Sequence, residues 1–275
     1  MAVELLRQLN QYDITNFVPV VFKKKTLGWV NRSNDFNLPF SLNSISEIDI
    51  QELIKFSERN CTKKFREFCP IFYFNSLEPR THFNHNTIFC DSKIFYIERD
   101  FLSKFGLPAY GVHCNVWSKY KNSTIIHLAK RANNLQKFPG MYDNLIAGGQ
   151  PIKISIKENL YKEAFEEAGL EKKHMKLAVK SKTAHYIHNE KQKLNSSIIF
   201  IYQLEKKEEM KFKNIDGEVE NFTSIEVDNL YKILEKKKLK PNCIIPIIDF
   251  FISKRSDFIS KKVILEIKNL MQAYD

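Results

Sequence analysis

The chain has 275 residues, 43% hydrophobic and 13% aromatic, with a formal net charge of +11. That length suits one large domain or two smaller ones, and that apolar content excludes wholesale disorder. The five cysteines form no C-x-x-C pair, which excludes a disulfide framework and a structural zinc site.

The first segment, MAVELLRQLNQYDITNF, carries a Glu and an Arg inside its first apolar run. It does not read as a signal peptide, and no run reaches the roughly 18 apolar residues of a membrane span. A reducing cytoplasm is the expected compartment, with no membrane partner. Residues 1–15 read as a helix. VPVVFKKKTLGWV (18–30) reads as a hairpin with Leu27-Gly28 near its turn. SEIDIQELIKFSERN (46–60) reads as a helix with Ser46 as N-cap, and IFYF (71–74) and KIFYIE (93–98) follow as apolar pieces. This first third, 1–104, reads as a small α+β module with no constellation of catalytic side chains. A substrate lid and a homodimer contact are both open as its role.

A second pattern occupies 105–275. AYGVHCNVW (109–117) and STIIHLAKR (123–131) are strand-like, with a Pro139-Gly140 turn signal after them. Further strands are expected at 176–186, 197–204 and 218–226, and helices at 227–238, 243–254 and 257–272. Strands mixed with few helices predict an α+β fold with a mixed sheet. The lysines are scattered, as in KKK (23–25), EKK (171–173) and KKKLK (236–240), with no zinc-finger, RNP or basic-zipper pattern. The charge therefore points to a phosphate-bearing small molecule rather than to nucleic acid.

The chemistry concentrates in AGGQPIKISIKENLYKEAFEEAGL (147–170). Ser155 and Glu158 form an S-x-x-E capping box, so a helix begins near Ile156, and Gly169 suits its C-terminal cap. Leu160, Ala164 and Ala168 form a buried stripe, while Glu163, Glu166 and Glu167 share another face at i, i+3 and i+4. Like charges at that spacing cost a few tenths of a kcal/mol per pair, and the helix dipole disfavours them at its C-terminal end. A solvated acidic face is one reading. A hard divalent cation, which takes oxygen ligands and bridges carboxylates to phosphates, is the other.

The stretch resembles the Nudix box, G-x5-E-x7-R-E-U-x-E-E-x-G-U. Aligned from Gly148, it matches at Gly148, Glu163, Ala164, Glu166, Glu167, Gly169 and Leu170. Ile154 stands in place of the first Glu, and Lys162 in place of Arg. FGLPAYGVHCNVW, AKRANNLQKFPGMYDNLIAGG, NIDGEVENF and KPNCIIPIIDF are similar to the thiamine-pyrophosphokinase-related Nudix subfamily, whose N-terminal module has a segment resembling VVFKKKTLGWV. No kinase domain is expected after the box. The resemblance implies an α/β/α sandwich with a mixed sheet. It further implies hydrolysis of a diphosphate-containing small molecule, dependent on Mg²⁺ or on Mn²⁺ in its place, with thiamine diphosphate or its oxidised analogues as substrate. Glu163 and Glu167 would be the principal metal ligands and Glu166 would assist, with one of these or a downstream acid as general base. Gly148, lacking a side chain, would let the backbone approach the metal. Glu218 and Glu220, on one face of an expected strand, are the further acids that could reach it.

Arg131 and Lys137 are the candidate phosphate-binding cations, next to Tyr142-Asp143. Tyr110, Trp117, Phe138, Tyr142 and Tyr186 form the pool of aromatics that could stack on a substrate ring. His113 reads as a packed, hydrogen-bonded histidine, and Cys114 and Cys243 as inert packing. Three other functions compete. RANNLQKFPGMYDN also resembles a segment of isopentenyl-diphosphate isomerase, but no Cys lies between Asn144 and Gly148 to serve that reaction. A Nudix pyrophosphatase on another nucleoside-diphosphate-linked substrate, or a degenerate Nudix module that only binds a ligand, are the remaining alternatives.

Overall fold

The computed structural model describes residues 2–33, 37–60, 68–71, 95–190, 192–255 and 259–270. Helix α1 spans Ala2–Leu9, shorter than 1–15. Asn10 follows it: its Nδ2 donates to Leu6 O at 3.0 Å, an end carbonyl of the helix, and to Leu270 O, far along the chain, at 2.7 Å. Strands β1 (Phe17–Phe22) and β2 (Lys25–Asn31) form the expected hairpin. Its turn is Lys23-Lys24, both with positive φ (46° and 65°), not Leu27-Gly28. Gly28 serves a different purpose, since a Cβ there would overlap Phe105 O and approach Leu107 Cδ2 to 2.8 Å.

Short β3 (Ile48–Asp49) pairs parallel with β1, and α2 runs Ile50–Asn60. Asp49 caps it in place of Ser46, its Oδ1 accepting the Gln51 N–H at 2.8 Å. β4 (Phe68–Ile71) and β5 (Phe95–Glu98) pair antiparallel, and most of IFYF lies outside the described residues. The four-residue helix α3 (Arg99–Leu102) follows. These elements enclose a core of their own, with Val20, Leu27, Leu53, Ile97, Phe101 and Phe105 among its members.

β6 (Pro108–Tyr120), β7 (Ser123–Arg131), β8 (Tyr142–Asn144), β9 (Ile146–Gly149), β10 (Val179–Glu190), β11 (Lys193–Glu205) and β12 (Val219–Glu226) make one sheet in the order β10-β11-β6-β7-β12. β9 pairs with the first half of β6, and β8 with the end of β7. β11 and β6 are parallel and the other pairs antiparallel, so the sheet is mixed as expected.

Helix α4 (Ile156–Ala168) packs on one face, its Ile156, Leu160, Ala164 and Ala168 against Val112, Ile198 and Phe200. α5 (Lys172–Met175) adds Met175 to that layer. α6 (Leu230–Glu235), α7 (Ile244–Arg255) and α8 (Lys261–Leu270) lie on the other face. Leu6 and Leu9 of α1 join them there, beside Ile199, Ile245 and Ile267. The domain is an α/β/α sandwich. Among the described residues no helix is long and apolar enough to cross a membrane.

Candidate active site

α4 is fixed at both ends by its own sequence. Ser155 Oγ accepts the Glu158 N–H at 3.1 Å while Glu158 Oε2 accepts the Ser155 N–H at 2.8 Å, completing the capping box. Gly169, with φ +65°, donates its N–H to Phe165 O, and Leu170 donates to Ala164 O. With the apolar stripe facing the sheet, the helix period turns Glu163 and Glu167 toward β9, while Glu166 pairs with Lys162.

Glu167 is 7% exposed, and its Oε2 accepts the Ala147 N–H at 2.7 Å. Burial pushes its carboxyl well above the ordinary range, and Asp143 and Glu163 push the same way. The Glu163 carboxyl lies where a Cβ on residue 148 would be, so only Gly148 admits it. Burial raises Glu163 too, against the pull of Lys162 and Arg99. Lys162 donates from Nζ to Glu163 Oε1 at 3.2 Å and to Glu166 Oε2 at 2.6 Å. Burial alone would lower its pKa, but these two carboxylates hold it above the usual value. The Lys that replaces the box Arg therefore partly neutralises the acidic ridge. Ile154, in place of the box's first Glu, contributes its carbonyl, which accepts Gln150 Nε2 at 3.0 Å.

The three glutamates line a cavity of about 550 Å³ that Arg99, Arg131, Lys137, Lys162 and Lys240 also border. Anions and cations thus border one open cavity. Gly148, Tyr110 and Glu218 line it as well, together with Asp216 and Phe138. Glu220 does not. A bulge between Val219 and Asn221 breaks the strand alternation, and Glu220 pairs with Lys130 at 2.8 Å. Tyr142 packs in the apolar cluster beside Leu239, Trp117 stacks toward Phe250 under Lys254, and Tyr186 stacks on His188. None of these three reaches the cavity wall.

Asp143 is not on that wall either. It is 3% exposed and takes Lys240 Nζ at 2.6 Å, Arg131 Nη1 at 3.3 Å and the Cys243 thiol at 2.6 Å. Burial would raise its pKa, but Lys240 and its other neighbours outweigh that and hold it ionised. It thus pairs with two of the cations that border the cavity. Cys243 is correspondingly more than packing, whereas Cys114 is buried in the sheet core as expected. His113 is buried, its pKa lowered to about 4 by burial. Its Nδ1 meets Asn144 Oδ1 at 2.9 Å, Asn144 donates to Asn115 Oδ1, and Asn115 donates to Pro246 O in α7. Asn144 uses its amide on Asn115, so His113 Nδ1 must be the donor.

His113, Asp143 and Cys243 bring potential ligand atoms within 4.8 Å of one another. They do not suit a cation, because Lys240 and Arg131 already occupy the Asp143 carboxylate and the Cys243 pKa is pushed up by burial. The glutamates fit one better. Two carboxyls driven toward protonation by burial and mutual repulsion gain from a bound divalent ion, and oxygen donors are the set that Mg²⁺ or Mn²⁺ prefers. Sequence reasoning missed Arg99 and Lys240. Lys240 carried a signal, standing in a segment similar to the subfamily, but Arg99 carried none.

Over 157 residues the chain is 36% identical to Nudix hydrolase 20, chloroplastic, of Arabidopsis thaliana, covering 57% of this chain and 42% of that protein. It is 34% identical to Nudix hydrolase 24, chloroplastic, from the same plant, covering 57% and 43%. Both relatives are Nudix hydrolases. The chain spans less than half the length of either. This similarity supports the Nudix resemblance carried by the box. No family model matches. The NUDIX domain of Shewanella oneidensis NrtR, solved with ADP ribose, superposes with a TM-score of 0.42 at 10% identity, covering 58% of this chain and 97% of that one.

Proposed function

We propose that the chain is a Nudix hydrolase that cleaves a diphosphate in a small organic molecule, using a divalent cation held by Glu163 and Glu167 with Glu166 assisting. The observation that carries this reading is the shared cavity, bordered by the three glutamates of one helix, Glu167 buried among them, and by five cationic side chains. The bound cation would neutralise the diphosphate, activate a water and stabilise charge on the departing oxygen. Arg131 and Lys240, aimed by Asp143, hold phosphate oxygens against that site. Glu218 and Asp216, which border the same cavity, are the proposed acceptors of a proton from the attacking water. Tyr110 and Phe138 offer ring surfaces for an organic group.

Thiamine diphosphate or an oxidised analogue is the proposed substrate, cleaved to the monophosphate and phosphate. The support is the run of segments similar to the thiamine-related subfamily and the size of the cavity. The test is phosphate release from the purified chain with Mg²⁺, using thiamine diphosphate, its oxidised forms, ADP-ribose and ADP. Turnover of the thiamine compounds that falls by about 10²-fold or more in Glu167→Gln supports the reading. Preference for ADP-ribose would move the substrate class to nucleoside diphosphates, and binding without turnover of any compound would sink the enzymatic reading.

A further inference from the structure

We propose that the N-terminal module forms one wall of the substrate site. Its Cys69, Leu102 and Ser103 bound, with β6 and β11, a neutral compartment that takes the ring-bearing organic group joined to the diphosphate. The ligand class rests on the hydrolase reading above, while the compartment itself is independent of it.

Strand register spreads the cavity along β6. Glu167 Oε2 holds the Ala147 N–H, and Ala147 pairs with His113. Gly148, whose missing Cβ leaves room for Glu163, pairs with Val112. Four residues before His113, Ala109 pairs with Ser197 of β11. At a strand rise of about 3.4 Å per residue, the Glu167 end and the Ala109–Ser197 end stand roughly 13 Å apart. Both ends border the same cavity, whose volume is about 550 Å³. That span holds a diphosphate and the group attached to it.

The two ends differ in charge. Glutamates and cations border the first. At the second, the lining residues are Ala109, Ser196 and Ser197 of the sheet and Cys69, Leu102 and Ser103 of the module, none of them charged. The module reaches this end because the turn Ser103–Phe105, which follows α3, packs against β11. Ser103, Ala109 and Ser197 are half-buried, and their short side chains let a flat ring come close to the backbone. The two hydroxyls can donate to or accept from its heteroatoms. A diphosphate gripped at the first end would direct its organic group to the second.

The module's wall is braced from behind. Phe101 and Phe105 sit in its core, 5.5 Å apart between ring centroids and each 6.2 Å from Phe56. Leu107 N–H closes the segment onto Leu102 O at 2.9 Å. Gly106, at φ +56°, abuts the backbone of Trp29 in the hairpin. Ile152 N–H donates to Phe68 O at 3.3 Å, tying β4 to the loop that enters α4. A wall fixed before the ligand arrives costs little ordering entropy on binding.

The experiment compares inorganic pyrophosphate with thiamine diphosphate by calorimetry on the full chain, in EDTA so that no turnover occurs. The ratio of the two affinities isolates the organic group. Wild type is expected to favour thiamine diphosphate by about tenfold or more. Ser103→Trp and Ser197→Trp, which fill the compartment from its two walls, should bring that ratio to within about threefold of one. Their pyrophosphate affinity should stay within about twofold of wild type, which also reports that each variant is folded. Ser103→Val and Ser197→Val, smaller intrusions, should lower the ratio by about threefold, and they carry the test if a Trp variant does not fold. The proposal is overturned by a wild-type ratio near one, by a wild type that binds neither probe, or by variants that keep the wild-type ratio. Folded variants that lose both probes equally overturn it too. Turnover with Mg²⁺ is followed in parallel. If wild type hydrolyses none of the diphosphates while the variants lose the preference, the hydrolase reading falls and the compartment stands. If wild type hydrolyses thiamine diphosphate and the variants keep the preference, the reverse holds.

Discussion

At the scale of single residues, the site depends on an atom that is missing. Gly148 leaves room for the Glu163 carboxyl, and Gly148→Ala must displace it. Misplacing a catalytic group by about an ångström costs on the order of 10²-fold, so kcat/KM should fall by roughly that factor while Tm changes little. An unchanged rate would show that Glu163 acts from another position. Glu167 makes the complementary case. Buried and surrounded by Asp143 and Glu163, its carboxylate opposes folding when no cation is bound. Because its folded pKa is raised, this penalty grows as pH climbs above the unfolded value. Glu167→Gln keeps an acceptor for the Ala147 N–H and removes the charge. In EDTA at pH 8 it should be more stable than wild type by about 1 kcal/mol, roughly 2–4 °C in Tm. Mg²⁺ should then raise the wild-type Tm and leave the variant where it was. A variant less stable than wild type in EDTA would contradict this.

At the scale of elements, α4 was legible because each of its signals is local. The capping box, the four-residue stripe and the C-terminal glycine all fall within one helix length, and the helix period then decides which glutamates converge. Ser155→Ala removes one half of the reciprocal cap, and should cost about 1 kcal/mol in chemical denaturation; a loss under a few tenths would mean that Glu158 alone holds the end. Ser46 failed as a cap because Asp49 stands closer to the apolar run. Glu220 failed because a bulge, which has no sequence signature here, reverses its face. Gly28 looked like a turn residue when it is a contact residue. Its partner, Phe105, lies 77 positions away in the numbering. Arg99 was illegible for the same reason: the chain returns to the site through a segment whose composition says nothing about where it lands.

At the scale of the molecule, a buried polar chain joins the central sheet to the helical layer. His113, Asn144, Asn115 and the Pro246 carbonyl run from β6 through β8 into α7. Beside them Asp143 links β8 to Lys240 and Cys243, just before that helix. His113 must stay neutral in this setting, with its pKa lowered to about 4, while the unfolded chain takes up a proton near 6.5. Between those values the unfolded state binds more protons, so this residue's contribution is complete above pH 6.5 and is lost as pH falls toward 4. At about 1.4 kcal/mol per pH unit, His113 alone costs about 2 kcal/mol by pH 5. His127, also near 4 through burial, adds a loss of the same sign. Glu163 and Glu167 shift the balance the other way over the same range, so the wild-type curve by itself does not isolate the histidine. His113→Asn does. Its side-chain amide retains a donor for Asn144 and has no proton to gain. The stability of wild type relative to His113→Asn, measured by urea denaturation in EDTA, should therefore shrink by about 2 kcal/mol from pH 7 to pH 5. A difference that stays constant over that range would mean that His113 titrates normally and that the polar chain opens to water.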